Sequence, residues 1–312
     1  MDDSVKDLIE SSRPPAGARV ARNAFHLVLG QASTTVLAFL LNGLLGRWLG
    51  VTDYGLFFLV TSMGLFAYVI VDWGQAQYVI REVAQHPEQA GQLLGSMLML
   101  RIVGGFGLSA LTALAVWLLG YDARTVGFAA LMVVAMLPFV LAQGYGIVFR
   151  GRERMELDSI VSVLNKALTL GATLLLLALG TGLLGAIVSQ ALGGLCAVAA
   201  AALLLRRADV PPLRASVDEA RRLLQGGTPL LMVGLAVAAQ SYLEVIVLSK
   251  LAPSESVGWF GAARTVFGTL IAPASILAMA AYPGMARAAH SPQLLTREVQ
   301  VSTRPLVALA VL

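Results

Sequence analysis

The sequence is short of the residues on which most enzyme chemistry depends. There is 1 cysteine, Cys196, and the 3 histidines, His26, His86 and His290, are scattered over 312 residues. A lone cysteine cannot close an internal disulfide, and no spacing of Cys, His or carboxylates matches a metal site, so no metal or other cofactor is expected. His26 reads as a helix-end residue and Cys196 as a small packing residue in an alanine-rich run. Charge is also scarce. Charged residues make up 13% of the chain and hydrophobic ones 57%, against about 25% and about 45–50% in a soluble domain. No glycine cluster follows a strand as a phosphate-cradling loop does, and no Walker motif is present. Gly104, Gly105, Gly107, Gly193 and Gly194 instead lie inside apolar runs, where small residues let helices approach closely.

What the chain does have is apolar length. Runs free of Asp, Glu, Lys and Arg cover 23–46, 54–71, 102–121, 125–149, 167–205, 223–243 and 265–286. A bilayer-spanning helix takes roughly 20 mainly apolar residues, so each run is one span and the longest is two. "LGTGL", 179–183, divides that longest run. Helices are expected at 23–47, 55–80, 93–120, 126–149, 158–180, 183–205, 228–250 and 257–285, with a ninth starting near 304. The sequence ends inside that ninth helix, which leads us to expect a fragment of a longer chain.

Basic residues set an expected orientation. Of the 22 Lys and Arg, Arg47, Arg124 and Lys250 fall on the side away from the N-terminus, while Arg101, Lys166 and Arg264 fall within spans. The rest, among them Arg150, Arg152, Arg154, Arg206 and Arg207, fall on the N-terminal side. That bias predicts a cytoplasmic N-terminus in a bacterial or archaeal cell membrane. The opening "MDDSVKDLIESSRPPAGAR" is acidic rather than a basic signal-peptide start, so the first span is expected to direct its own insertion. The net charge of +4 then follows from topology, and no nucleic-acid partner is implied.

Two turns resemble each other. "LGRWLGVTDYGLFF", 45–58, and "LSKLAPSESVGWFG", 248–261, align without gaps: Arg47 with Lys250, Gly50 with Pro253, Asp53 with Ser256, Gly55 with Gly258 and Phe57 with Phe260. The offset is constant at 203 residues. The six expected helices between the copies are an even number, so both turns face one side and the halves are parallel repeats about an axis along the membrane normal. The alternative is two unrelated membrane turns that look alike.

"GRWLGVTDYGLFFLV", "DWGQAQYVIREVAQ" and the stretch from "GTPLLMVGLAVAAQ" to "AAYPGMARA" resemble the polysaccharide-transporter branch of the multidrug/oligosaccharidyl-lipid/polysaccharide exporter superfamily, which includes the O-antigen and exopolysaccharide flippases. The resemblance covers most of 20–290. It implies an all-α polytopic membrane protein: two parallel six-helix bundles in an exporter-like V, the second incomplete here. The expected organisation is a tail at 1–22, an N-lobe at 23–205, a loop at 206–226 and a partial C-lobe at 227–312. The resemblance further implies a non-enzymatic role, movement of a polyprenyl-(pyro)phosphate-linked oligosaccharide to the outer leaflet by alternating access. A polysaccharide polymerase and glycosyltransferases are the partners that go with it.

A route for sugar and phosphate should be cationic, and basic residues inside spans are costly enough to suggest function. Arg264 is the first candidate for substrate contact, with an ion pair to Glu244 as its alternative. Lys166 and Arg101 lie about two turns inside their helices, where they line a vestibule or snorkel to the interface. Arg47 and Lys250 occupy equivalent turn positions, as phosphate contacts on release or as interface anchors. Glu244, with Gln240 one turn before it, and Asp72 are candidates for coupling transport to Na⁺ or protons. Related multidrug antiporters commonly carry a carboxylate in helix 1, and lipid II flippases arginines; here 23–46 has neither.

Three functions stay open: an oligosaccharide-lipid flippase, an ion-coupled exporter of small cations, and an assembly protein without transport. A pyrophosphate carrying about two charges outward gains roughly 2.3 kcal/mol per charge per 100 mV, which is sufficient drive without ATP. A membrane glycosyltransferase is disfavoured because the far-side loops, such as 121–125, are very short. Within 206–225, the residues Val217, Ala220, Leu223 and Leu224 form an apolar face on a short amphipathic helix at the membrane surface, or belong to an ordinary basic loop.

Overall fold

The computed structural model describes residues 16–288, with side chains between 23 and 272. The expected ninth helix near 304 lies outside the described residues. Within them the chain forms helices without a strand, and six helical segments are long and apolar enough to cross a membrane.

The first helix, α1 (Ala16–Asp72), consists of two limbs joined at Gly50, whose φ of 72° breaks the helical path. The Tyr54 hydroxyl donates to the Asn42 side-chain oxygen at 3.2 Å. Twelve residues of straight helix would separate them by about 18 Å, so the chain doubles back at Gly50 and α1 supplies two passes. Helix is already formed at Ala16, within the stretch expected as a tail. The remaining helices are α2 (Gln75–Gln85), α3 (Ala90–Leu118), α4 (Ala123–Gly151), α5 (Met155–Ala178), α6 (Gly182–Leu204), α7 (Val217–Ala238), α8 (Glu244–Leu251) and α9 (Ser254–Ala288). Positive φ at Gly180 (76°) and Gly182 (57°) divides α5 from α6 within "LGTGL". Asp122 caps α4, and the Thr125 hydroxyl donating to it at 2.5 Å holds its carboxyl below the usual range.

Two expectations change at the joints. The second helix ends at Asp72 rather than running to residue 80, because Trp73 (φ 48°) and Gly74 (φ 71°) adopt left-handed backbone. Tertiary bonds hold that break: the Trp73 indole donates to the Leu224 carbonyl at 3.1 Å and the Thr228 hydroxyl at 3.2 Å. The surface amphipathic helix is instead the first two turns of α7, where Leu223 and Ala220 are buried against the preceding lobe. Asp218 and Glu219 in that first turn favour its start through the helix dipole. A π-helical turn, Ala239–Leu243, joins α7 to α8.

Helix α4 is central to the N-lobe, packed on α1, α2, α3, α5 and α6. Glycines allow this closeness: a Cβ on Gly194 would strike the α4 backbone at Phe139, and one on Gly193 would strike Thr169. Gly107 faces open space and Cys196 is exposed, so neither is the packing residue it was expected to be. Val60, Met132, Val133, Ala186 and Ile187 form a core that also takes in Val245 and Val257 from the second repeat.

Candidate functional site

The two repeat turns meet each other. A Cβ on Gly55 would strike the carbonyl oxygen of Ser254, and one on Gly258 would strike that of Val51. Val51 and Ser254 are themselves a repeat pair, so the contact is reciprocal about the pseudo-two-fold axis. Thr52 donates to Glu255 at 3.2 Å across the same 203-residue offset. The Phe58 ring lies over Gly261, again its repeat equivalent. Around this crossing Arg124 pairs with Asp53 at 2.9 Å, and the Tyr121 hydroxyl meets Ser249 at 2.6 Å. The Lys250 ammonium stands 3.4 Å from the Tyr121 ring centroid. The end of the bundle that carries the turns is therefore sealed between the repeats.

Toward the N-terminal end the helices enclose polar space. A cavity of about 260 Å³ lies among α1, α4 and α5. Leu27, Gly30, Gln31 and Thr34 face it from one side of α1, and Asp158, Ser159, Ser162 and Lys166 from one side of α5. Gly30 brings the two helices together, since a Cβ there would lie 2.6 Å from the Ser159 hydroxyl, which donates to the His26 carbonyl at 2.8 Å. Gly146 similarly leaves room for the Asp158 carboxylate, which pairs with Arg150 at 3.2 Å. The Lys166 ammonium lies 5.7 Å from the Phe139 ring centroid. Among the described residues no carboxylate is within ion-pair reach of Lys166. Gln31 also borders a cleft of about 500 Å³ between α1 and α9, with Thr35, Phe39, Thr265 and Thr269.

The candidate residues separate into different environments. Lys166 lines the polar cavity. Arg101 does not: its side chain is 1% exposed, forms an ion pair with Asp72 and donates to the Val140 carbonyl at 2.6 Å. Two candidates, a vestibule cation and a coupling carboxylate, thus satisfy each other inside the N-lobe. Arg264 forms an ion pair with Glu244, and its guanidinium lies 6.0 Å from the Phe260 ring centroid. Gln240 is exposed in the π-helical turn, and Arg47 is exposed near the sealed end. Among the described residues no cluster of His, Cys and carboxylates could hold a metal. Gln143, Asp158, Ser159 and Ser162 were not singled out from the sequence. For the last three the signal was the helical face shared with Lys166, from which Ser162, Ser159 and Asp158 lie four, seven and eight residues back along α5.

The profile of the family described as polysaccharide biosynthesis protein matches residues 20–289. Among solved structures, the MATE multidrug transporter DinF-BH, solved as a ligand complex, has a TM-score of 0.70 at 15% identity, covering 96% of this chain and 73% of that one. A MATE in complex with Br-NRF has a TM-score of 0.64 at 18% identity, covering 94% and 74%. A MOP superfamily transporter from Pyrococcus furiosus, described as having a binding pocket of reverse polarity that suggests a different function, has a TM-score of 0.56 at 15% identity, covering 91% and 74%. A search of the curated proteins finds no match. At these identities the structures speak for the fold. The profile speaks for the family: this multi-pass membrane chain belongs to the polysaccharide biosynthesis protein family, built on the fold of MATE and MOP superfamily transporters.

Proposed function

We propose that the protein is a flippase that carries a polyprenyl-(pyro)phosphate-linked oligosaccharide from the inner to the outer leaflet. The observation that carries this reading is Lys166, a cation without a carboxylate partner among the described residues, in a cavity whose lining includes the Gln31 and Gln143 amides and the Thr34, Ser159 and Ser162 hydroxyls. Amides and hydroxyls suit a sugar, and an ammonium within a low-dielectric span suits a phosphate or another anion. The carboxylate in the same cavity, Asp158, is already paired with Arg150, which leaves little attraction for a cationic drug. With the N-terminus in the cytoplasm, the sealed turn end faces outward and the polar cavity faces the leaflet in which the substrate is made. Glycosyltransferases then supply the substrate and a polysaccharide polymerase consumes it.

Transport requires the Gly55–Gly258 crossing to part while the N-terminal end closes. The test is a sealed-vesicle assay using a fluorescent polyprenyl-pyrophosphate-linked saccharide. Wild type should move it across the bilayer, Lys166→Arg should retain most of the rate, and Lys166→Ala should lose roughly tenfold or more, the equivalent of about 1.4 kcal/mol. Failure of wild type to move this lipid, with export of a cationic dye instead, would replace the flippase by a cation exporter.

A further inference from the structure

A groove of about 310 Å³ runs between the second limb of α1 and α3, and none of its lining residues borders the Lys166 cavity. Ile70 and Val71 form one wall. Gly104 and Gly107 make the floor: a Cβ on Gly104 would lie 3.7 Å from Val71, and one on Gly107 would meet nothing within 4 Å. The groove faces the bilayer, since Val103 and Leu111 on its rim are 69% and 55% exposed on a helix apolar enough to span. Trp73 and Leu224 close the end on the N-terminal side.

Its position matches one leaflet. Counting roughly 20 residues back from the α3 end at Leu118 puts the nearer membrane boundary at about residue 98. Leu100 lies just inside that boundary, and Leu111 lies about 16 Å further along, near the bilayer centre. At the boundary end the groove presents an acceptor. Gln75 is fully buried, its amide nitrogen donates to the Val71 carbonyl at 3.3 Å, and its side-chain oxygen receives no hydrogen bond among the described residues. A buried acceptor without a donor is costly. The surroundings favour a donor that is also cationic, because α1 ends at Asp72 and the carbonyl end of a helix attracts positive charge. Arg101 does not fill that role, being engaged by Asp72 and the Val140 carbonyl.

We propose that the α1–α3 groove binds phosphatidylethanolamine of the leaflet on the N-terminal side, its ammonium donating to the Gln75 side-chain oxygen and one acyl chain lying over Gly104 and Gly107. An ammonium supplies the missing donor and the positive charge together. The hydroxyls of phosphatidylglycerol supply only the first, and the methylated nitrogen of phosphatidylcholine only the second. Trp73 stands at the depth where aromatic rings meet headgroups. The lipid is a resident of the protein and not its cargo: an occupant that contacts Leu224 as well as Ile70 and Val71 bridges the N-lobe and the start of α7. The site stands independently of the flippase reading.

The full chain is delipidated in detergent, and its affinities for dioleoyl phosphatidylethanolamine, phosphatidylcholine and phosphatidylglycerol are measured by native mass spectrometry. Wild type should bind the ethanolamine lipid roughly tenfold more tightly than the other two, the worth of one hydrogen bond to a charged group. Gln75→Leu should bind all three about equally. Gly107→Leu, which fills the floor without a clash, should weaken all three. Equal binding of the ethanolamine and choline lipids by wild type overturns the proposal, and that comparison needs no variant to fold. A preference that survives Gln75→Leu, or affinities untouched by Gly107→Leu, would place the lipid elsewhere and overturn it too. Tightest binding of phosphatidylglycerol would replace it by a site for anionic lipid.

Discussion

Lys166 and Arg101 look alike in sequence, each a cation about two turns inside a span, and the fold gives them opposite roles. Lys166 shares a helix face with Asp158, Ser159 and Ser162 and borders a cavity. Arg101 faces the interior of its lobe and meets Asp72 and the Val140 carbonyl. Depth in the membrane was legible from the sequence; helix rotation was not, because a span that is apolar all round has no face to orient it. The pattern of α3 illustrates this, with exposed Val103 and buried Leu108 on the same charge-free run. The Arg264–Glu244 pair was legible as an alternative because consecutive helices tend to be neighbours. Removing one member of a buried pair leaves the other uncompensated. Arg101→Met should therefore destabilise the protein by about 3 kcal/mol, the low end of the usual range because Asp72 is 31% exposed. Arg101→Met with Asp72→Leu should recover most of that loss. Thermal unfolding in detergent measures both, and a double variant no more stable than the single one would argue that Arg101 acts through something other than Asp72.

At the scale of elements, the repeat read from two short turns proves to be a physical contact. The sequence matched Gly55 with Gly258; the structure shows why both are small, since each lies against a carbonyl of the other repeat. The break at Trp73 and Gly74 was not legible, because its left-handed backbone depends on bonds from Trp73 to a helix more than a hundred residues away. The start of α7 was only half legible: the amphipathic pattern at 217–224 was visible, but the same pattern fits a membrane surface and a neighbouring lobe. Cysteine pairing can test the crossing. In a Cys196→Ser background, Thr52→Cys with Glu255→Cys should be cross-linked within the chain by a short bifunctional thiol reagent, as the Glu255 carboxylate reaches to 3.2 Å from the Thr52 hydroxyl. Adding Gly55→Val should abolish it, since the Ser254 carbonyl cannot move aside without displacing the α9 backbone. Persistent cross-linking in that triple variant would mean that the crossing is loose.

At the scale of the whole molecule, a sealed end and a polar end divide the bundle along one axis, as a carrier loaded from one leaflet requires. The outward drive is electrical in this account. Two charges on a pyrophosphate gain about 4–5 kcal/mol in a 100 mV inside-negative potential if the protein's own charges stay in place. Flipping in sealed vesicles should therefore accelerate with an imposed potential of that sign and slow with the opposite one; a rate indifferent to both would remove the electrical drive. The central claim, that this cavity passes a lipid-linked saccharide between leaflets, is tested most directly in the native host. The gene is depleted, and prenyl-linked oligosaccharides are quantified by mass spectrometry and assigned to a leaflet. The account predicts accumulation on the inner leaflet, reversed by wild type and Lys166→Arg but not by Lys166→Ala. An unchanged leaflet distribution on depletion would contradict it.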